Sequence, residues 1–479
     1  MERRGPPERK PPGGRLACRS IRPGRSPDAA QAGNPSFTRR SAMQKATVTV
    51  KAKDSTVERI KRFLELNDYQ GEMKVDPNAK DQVLVTGVGQ TPLTNPTLTQ
   101  LATQMDLLLP KSRSDYDLVV LGGGPAGLAA AINARSLYGL TTLVIEQYAP
   151  GGTAATAINR IDNYLGFHEG ITAGELCHNA VLQAKSFGAE WLPGYSVTEF
   201  KASDDPKTTK HTITATNSDS PHDHVTVTAS LVLISSGVMP RKLSQPGAST
   251  FEDQGIYYYA LPPDADGVTA KDTIVIIGAG DSAGRAALMF ADKKAQVIML
   301  IRKTLTSDML TVVSDKIKQA KNITLVENTE ATEFKATTDP NAKLTVVTAA
   351  KSYEATAVYA LISADPQTKW VEDAGITVVR KDPKDPCGLV ATGMDIYFDA
   401  INNGTFDHTK HDLSKVADMT THKPGVFAAG DVRFRALRRI ATAAGEGTEA
   451  ALAMHNYLTA KPHVLDAEAD RPAPSYYLA

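Results

Sequence analysis

The chain has 479 residues, no net formal charge, 42% apolar residues and 22% charged ones. That balance suits large buried cores in two or three domains, and the zero charge gives no general attraction to nucleic acid or anionic membrane. No uninterrupted apolar run approaches the ~18 residues of a membrane helix, and the three cysteines, Cys18, Cys177 and Cys387, form no C-x-x-C redox pair or zinc spacing.

Residues 1–43 are rich in Arg, Pro and Gly, with Glu2, Glu8 and Asp28 their only acids. Such a segment buries too little apolar surface to offset its ordering entropy, so it is expected to be a disordered basic leader. It lacks the apolar stretch of a secretory signal. It has the composition of an organelle transit peptide, and equally that of an over-extended start with Met43 as the initiator. A cytoplasmic location is expected, with organelle import through the leader as the alternative.

Residues 44–112 predict a small α/β domain. A strand at 47–51 leads to a helix capped by Ser55, with Val57, Ile60, Phe63 and Leu64 on one face. Strands at 71–75 and 82–87 follow, then a second helix capped by Asn95 and running to Met105. This order resembles a thioredoxin or glutaredoxin fold. No cysteine occupies the first strand-to-helix turn, so a degenerate structural or docking domain is expected.

From Asp115 the pattern becomes strand, Gly-rich turn, helix, strand, and it recurs at Thr273. The first run is Tyr116-Asp-Leu-Val-Val-Leu-Gly-Gly-Gly-Pro-Ala-Gly, in which Gly122, Gly124 and Gly127 form G-x-G-x-x-G. The first glycine permits a tight turn, the second lets backbone approach a pyrophosphate, and the third lets helix pack on strand. A helix beginning at Pro125 and Ala126 would point its positive end at the phosphates. The next strand ends in Glu146, followed by Gln147, nineteen residues past Gly127. A ribose hydroxyl acceptor belongs there.

The second run is Thr273-Ile-Val-Ile-Ile-Gly-Ala-Gly-Asp-Ser-Ala, with Gly278, Gly280 and Ala283 as G-x-G-x-x-A and Asp281 and Ser282 opening the helix. Its following strand ends in Arg302 and Lys303 in place of an acid. Two cations there favour the 2′-phosphate of NADP over NAD, the alternative being a solvated basic strand end. The fold class is therefore α/β, with two Rossmann-like domains, the second inserted in the first. The expected boundaries are 115–242 and 366–460 for the first unit and 243–365 for the second, with 461–479 a tail. Residues 196–228 alternate and fit antiparallel hairpin strands.

Residues 115–459 resemble the low-molecular-weight thioredoxin reductase group of flavoproteins, most closely the reductase modules fused to cyclic-nucleotide-binding domains. The matching pieces are Ala149-Pro-Gly-Gly-Thr, Arg160-Ile-Asp-Asn-Tyr-Leu-Gly-Phe, Ser236-Gly-Val-Met-Pro-Arg, the second fingerprint, Gly425-Val-Phe-Ala-Ala-Gly-Asp-Val and Arg438-Arg-Ile-Ala-Thr-Ala-Ala-Gly-Glu-Gly. The resemblance implies bound FAD and NADPH. It implies that Gly151, Gly152 and Asn163 lie along the flavin and that Gly237 belongs to the same site. Gly430 and Asp431 would meet the ribityl chain, and Arg438, Arg439 and Ile440 would approach the pyrimidine end of the ring. Thr153 stands where relatives carry Gln. A homodimer is also expected.

One departure decides the chemistry. Thioredoxin reductases carry a C-x-x-C before the second fingerprint, and here that region reads Tyr257-Tyr-Tyr-Ala-Leu-Pro-Pro-Asp-Ala-Asp-Gly. The expected activity is hydride transfer from NADPH to FAD, then to an acceptor other than an internal disulfide: a ferredoxin-like or other redox protein, a quinone or oxygen. Two rivals stand beside it. One is a non-enzymatic redox or nucleotide sensor. The other is a thiol–disulfide oxidoreductase using Cys177 or Cys387, although Cys177 reads as a packed helix thiol. His222 and His224 read as a solvated hairpin, and no metal is expected.

Overall fold

The computed structural model describes residues 45–50, 60, 63, 70–75, 83–87, 92–104, 108–156, 160–161, 164–204, 210–218, 220–252, 254–260, 262–265, 267–305, 309–380, 385, 387–397, 401 and 418–459. The leader, Ser55, Asn163 and the tail 461–479 lie outside the described residues. Among those residues no helix is long and apolar enough to cross a membrane.

Four short strands open the described chain: Lys45–Val50, Gln70–Val75, Val83–Thr86 and Leu93–Thr94. Gln70–Val75 lies parallel to Lys45–Val50 on one side, and Val83–Thr86 lies antiparallel to it on the other. A parallel pair needs a crossover, and within that crossover Ile60 and Phe63 are helical and buried. The second helix, Leu98–Gln104, is not capped as expected. Asn95 takes φ 46° and its Oδ1 accepts the Val83 N–H at 2.9 Å, which closes a turn of the sheet. Thr97 is the cap. Its Oγ1 accepts the Gln100 N–H at 3.2 Å while Gln100 Oε1 accepts the Thr97 N–H at 2.9 Å. This is a reciprocal capping box. The helix rests on the next sheet, where Thr99 Oγ1 donates to the Pro193 carbonyl at 2.9 Å.

The first large sheet has eight strands. In order they are Tyr195–Lys201, His211–Asn217, Ser220–Ile234, Asp115–Leu121, Thr142–Glu146, Glu190–Pro193 and Leu109–Pro110, with Val426–Ala428 also pairing with Ser220–Ile234. Asp115–Leu121 and its neighbours on both sides are parallel. Leu118 to Leu121 are all essentially inaccessible, as expected of a strand covered on both faces. The alternating segment forms the predicted hairpins, where His222 and His224 are exposed and His224 Nδ1 meets Thr216 Oγ1 at 2.9 Å.

A second, all-parallel sheet has five strands, ordered Ile256–Tyr257, Ala357–Ala360, Thr273–Ile277, Gln296–Leu300 and Ile323–Val326. It falls between two strands that belong to the first sheet, Ser220–Ile234 and Val426–Ala428, so the second unit is inserted in the first. The chain crosses between units on Met239–Pro240 and Ala364–Asp365, which pair antiparallel. A bidentate ion pair fastens this crossing: Arg241 Nη2 and Nε donate to Asp365 Oδ1 and Oδ2 at 2.6 and 2.7 Å.

The helices Pro125–Ser136 and Ile440–Thr459 cross at very short range. A Cβ added to Gly447 would sit 2.0 Å from the Ala126 carbonyl oxygen. Overpacking costs ~1–3 kcal/mol in tolerant cores, and backbone has less room to yield. Gly447→Ala is therefore expected to lower unfolding stability by at least that amount, read as a reduced urea midpoint; an unchanged midpoint would show that the crossing is loose.

Candidate cofactor site

The site begins at the end of Asp115–Leu121. Gly122 has φ +111°, and a Cβ there would lie 2.4 Å from the Ser235 carbonyl. Only glycine adopts that conformation without strain. A Cβ on Gly127 would meet the Gly122 carbonyl at 2.0 Å, so the helix can approach the strand only because Gly127 is bare. Gly124 differs from both. A Cβ there would meet no atom of the described residues within 4 Å. The space above it is open, as backbone facing a pyrophosphate requires. The helix Pro125–Ser136 carries proline at its first position, which removes an N–H that would be an orphan anyway.

Glu146 ends the next strand and is 7% exposed. Its Oε2 accepts the Gly123 N–H at 2.7 Å and its Oε1 accepts the Tyr148 N–H at 2.9 Å. The carboxylate is thus fixed beside the glycine turn by two backbone donors. A carboxylate at this position is the chemistry that accepts a ribose hydroxyl. Gln147 is exposed beside it.

Two distant loops close on the same turn. The Gly151 N–H donates to the Gly123 carbonyl at 2.8 Å, and a Cβ on Gly152 would come within 3.0 Å of the Gly124 Cα. Both glycines take positive φ, +104° and +58°. Thr153 is exposed and its Oγ1 donates to the Val238 carbonyl at 3.3 Å. From the other side comes Gly430, at φ +79°, where a Cβ would sit 2.9 Å from the Ala126 Cβ. Asp431 follows, half-buried; burial pushes its carboxyl above the usual range against the pull of Arg438. Gly237 takes φ +60° with open space around it. Arg438 and Arg439 are exposed at the start of Ile440–Thr459, where the Ala443 N–H donates to the Arg439 carbonyl at 2.9 Å.

Sequence reasoning missed three groups. Ser235 Oγ donates to the Gly122 carbonyl at 2.9 Å. Ser236 has a buried hydroxyl with no hydrogen-bond partner among the described residues, and its Cα lies where a Gly122 Cβ would come within 2.9 Å. An orphaned buried hydroxyl beside an open glycine turn fits a bound dinucleotide. Arg433 and Glu446 form an ion pair at 2.8 Å with both side chains almost inaccessible, and Glu446 Oε2 also accepts the Gly430 N–H at 2.7 Å. Their signal was a charged residue within the small-residue face of the last helix.

The second fingerprint repeats the first in outline. A Cβ on Gly278, at φ +145°, would lie 2.3 Å from the Leu361 carbonyl, while one on Gly280 would meet nothing. Ala283 is fully buried in the third position. Asp281 is partly committed to its own helix, accepting from Arg285 Nε at 2.7 Å, and Ser282 is exposed. Arg302 and Lys303 are exposed at the strand end, and Arg302 Nε lies 3.7 Å from Glu330 Oε1. That pair is exposed on both sides and weak, so Arg302 can turn to a phosphate.

The family model for the pyridine nucleotide-disulphide oxidoreductases matches residues 116–383, more than half of the chain. The chain belongs to that family. It is 28% identical over 362 residues to a thioredoxin reductase of Listeria innocua, covering 74% of this chain and 97% of the relative. A thioredoxin reductase of Bacillus subtilis is 28% identical over 364 residues, with 72% and 95% covered. The crystal structure of the Lactococcus lactis thioredoxin reductase, in its FR conformation, superposes with a TM-score of 0.56 at 26% identity, covering 72% of this chain and 99% of that one. The crystal structure of T. acidophilum thioredoxin reductase shares the fold, with a TM-score of 0.55 at 24% identity, covering 72% of this chain and 99% of that one. The protein is an FAD-dependent pyridine nucleotide oxidoreductase of the thioredoxin reductase type, using FAD and NADPH.

Two outcomes follow. Gly124→Val leaves the protein's own packing untouched yet fills the space for the pyrophosphate, so the purified variant is expected to fold and to be colourless; full yellow flavin absorbance would refute the site. Replacing Arg302 and Lys303 by Glu removes charge-assisted phosphate contacts of roughly 1.5–3 kcal/mol each, about tenfold to a hundredfold per contact. Efficiency with NADPH should fall steeply while that with NADH changes little, and equal use of both by the unmodified protein would contradict the assignment.

Proposed function

We infer that this flavoenzyme oxidises NADPH and delivers the electrons to an acceptor other than a disulfide within its own chain. The observation that carries this reading is the packing of the segment ahead of the second fingerprint. Tyr257 meets Tyr359 in a tilted pair at 5.4 Å between ring centroids, and Tyr359 in turn meets Phe290 at 4.7 Å, also tilted. Tyr258 is 8% exposed and its hydroxyl accepts the Leu243 N–H at 3.0 Å. Tyr259 donates from its hydroxyl to Met239 Sδ at 3.9 Å, toward the crossing between the units. These tyrosines pack the second unit's core and brace its linker, where a redox relay would need two thiols.

The described cysteines do not supply one. Cys177 packs beneath the Gly151 loop: its Cβ would lie 2.9 Å from a Gly151 Cβ, and its Sγ is 3.7 Å from the Gly151 carbonyl. Burial pushes its thiol up to about 12, so the nucleophilic thiolate is scarce at neutral pH. Cys387 is half-buried in a different place, lining a cavity of about 130 Å³ with Arg241, Asp365 and Arg438.

When bound, FAD supplies a two-electron acceptor for NADPH. The chain's contribution is orientation. The Gly122–Gly127 turn and the Pro125–Ser136 helix end offer backbone donors to a pyrophosphate. Glu146 is held ready for a ribose. Arg438 and Arg439, at the start of the last helix, favour negative charge on the reduced ring. The acceptor is a ferredoxin-like or other redox protein, a quinone or oxygen.

Anaerobic titration with NADPH should consume about one equivalent per FAD, since the described cysteines form no thiol pair to store a second pair of electrons. Replacing Cys177 and Cys387 by Ser should leave turnover with quinone-type acceptors intact. Consumption of two equivalents, or thioredoxin reduction abolished by those substitutions, would favour the disulfide reductase activity named for the relatives.

A further inference from the structure

We propose that Arg433 and Glu446 are a charge-balanced positioning pair for the Gly430–Asp431 turn, and that their balance sets the reduction potential of the FAD bound there. The proposal rests on the reading that this turn lines the flavin site.

Both members of the pair grip the same turn. The Arg433 backbone N–H donates to the Gly430 carbonyl at 2.9 Å. Glu446, one helix turn and more into Ile440–Thr459, reaches back so that its Oε2 accepts the Gly430 N–H at 2.7 Å. Gly430 is thus held at its N–H by one partner and at its carbonyl by the other. The side chains then meet: Arg433 Nη1 lies 2.8 Å from Glu446 Oε1, with 12% and 11% of the two side chains exposed. Arg433 Nε donates to Thr392 Oγ1 at 2.8 Å, which fixes the guanidinium plane.

Charge makes this arrangement more than a bracket. A buried carboxylate without a partner is strongly unfavourable, and the surroundings are already acidic. Asp431 is half-buried and Glu449 exposed; desolvation raises both carboxyls, Asp418 adds to the rise of Glu449, and Glu446 adds to both, while Arg433 opposes the rise of Glu449. The pair is neutral as built. Remove one member and a single buried charge remains beside the turn, where the effective dielectric is well below that of water. Charge close to a flavin tunes its electronics directly. Reduction adds negative charge to the ring, so a residual cation favours the reduced state and a residual anion opposes it. A purely structural bracket makes no such signed prediction.

The test is the midpoint potential of the purified holoprotein, measured by dye equilibration. Glu446→Gln keeps the shape and an acceptor for Gly430, and leaves Arg433 unbalanced; its potential should rise. Arg433→Met leaves Glu446 unbalanced; its potential should fall and its FAD should dissociate more readily. The double variant should return toward the unmodified value, and Arg433→Lys should stay near it. If Arg433→Met does not fold, Glu446→Gln and Arg433→Lys still decide the matter. A potential unmoved in Glu446→Gln with FAD fully bound, or a shift of the same sign in both single variants, overturns the proposal. Gly430→Val separates this failure from that of the site reading. If that variant folds by circular dichroism and keeps its flavin, the turn does not hold FAD; if it is colourless while the potentials stay put, the turn holds FAD and the charge pair does not tune it.

Discussion

Close approach of backbone around the first turn of the helix Pro125–Ser136 is the constraint from which the rest of the site follows. Four segments meet there that are far apart in sequence: 122–127, 151–152, 430–431 and 446–447. Each arrives on a glycine whose added Cβ would lie within 3.0 Å of another part of the cluster: Gly127 against Gly122, Gly152 against Gly124, Gly430 against Ala126 and Gly447 against Ala126. Side chains at these positions would push the segments apart, and no single loop would then present its backbone donors in one direction. Gly124 is the exception that gives the cluster its use, because the space beside it is open among the described residues. A helix end with unsatisfied N–H groups and an open face is a place for a phosphate.

The inserted unit applies the same logic more loosely. Gly278 and Ala283 seal strand to helix and Gly280 stays open. Among the described residues no distant loop locks over this turn as 151–152 and 430–431 lock over the first. That asymmetry fits the two partners expected, a resident FAD held from several sides and an NADPH that must enter and leave on each turnover. The crossing strands Met239–Pro240 and Ala364–Asp365, tied by Arg241 and Asp365, connect the two. Tyr259 reaches Met239 on that same crossing, so the segment ahead of the second fingerprint is mechanically joined to the linker.

Much of this was legible in the sequence, for identifiable reasons. Both fingerprints combine a buried strand, a Gly-rich turn and a helix start, a pattern whose physics is local. Glu146 was placed correctly at its strand end because a strand-ending acid at that spacing is also a local feature. The insertion of one unit in the other followed from the recurrence of the pattern. What the sequence hid was tertiary. Nothing near Asn95 says that its amide will serve the sheet, leaving Thr97 and Gln100 to cap the helix. Glu446 stood out only as a charge among small residues on a helix, and its partners, Gly430 and Arg433, come to it through the turn before that helix. The commitment of Asp281 to Arg285 was readable as an i, i+4 pair, yet it was masked by the resemblance of the surrounding motif.

The central claim is that flavin is this protein's only internal electron store. The most direct measurement is the visible spectrum of the purified protein during anaerobic addition of NADPH. The account predicts a yellow protein whose flavin absorbance bleaches in one phase to that of fully reduced flavin. A long-wavelength thiolate-to-flavin charge-transfer band growing in during reduction would contradict it, because that band requires a reduced thiol against the ring.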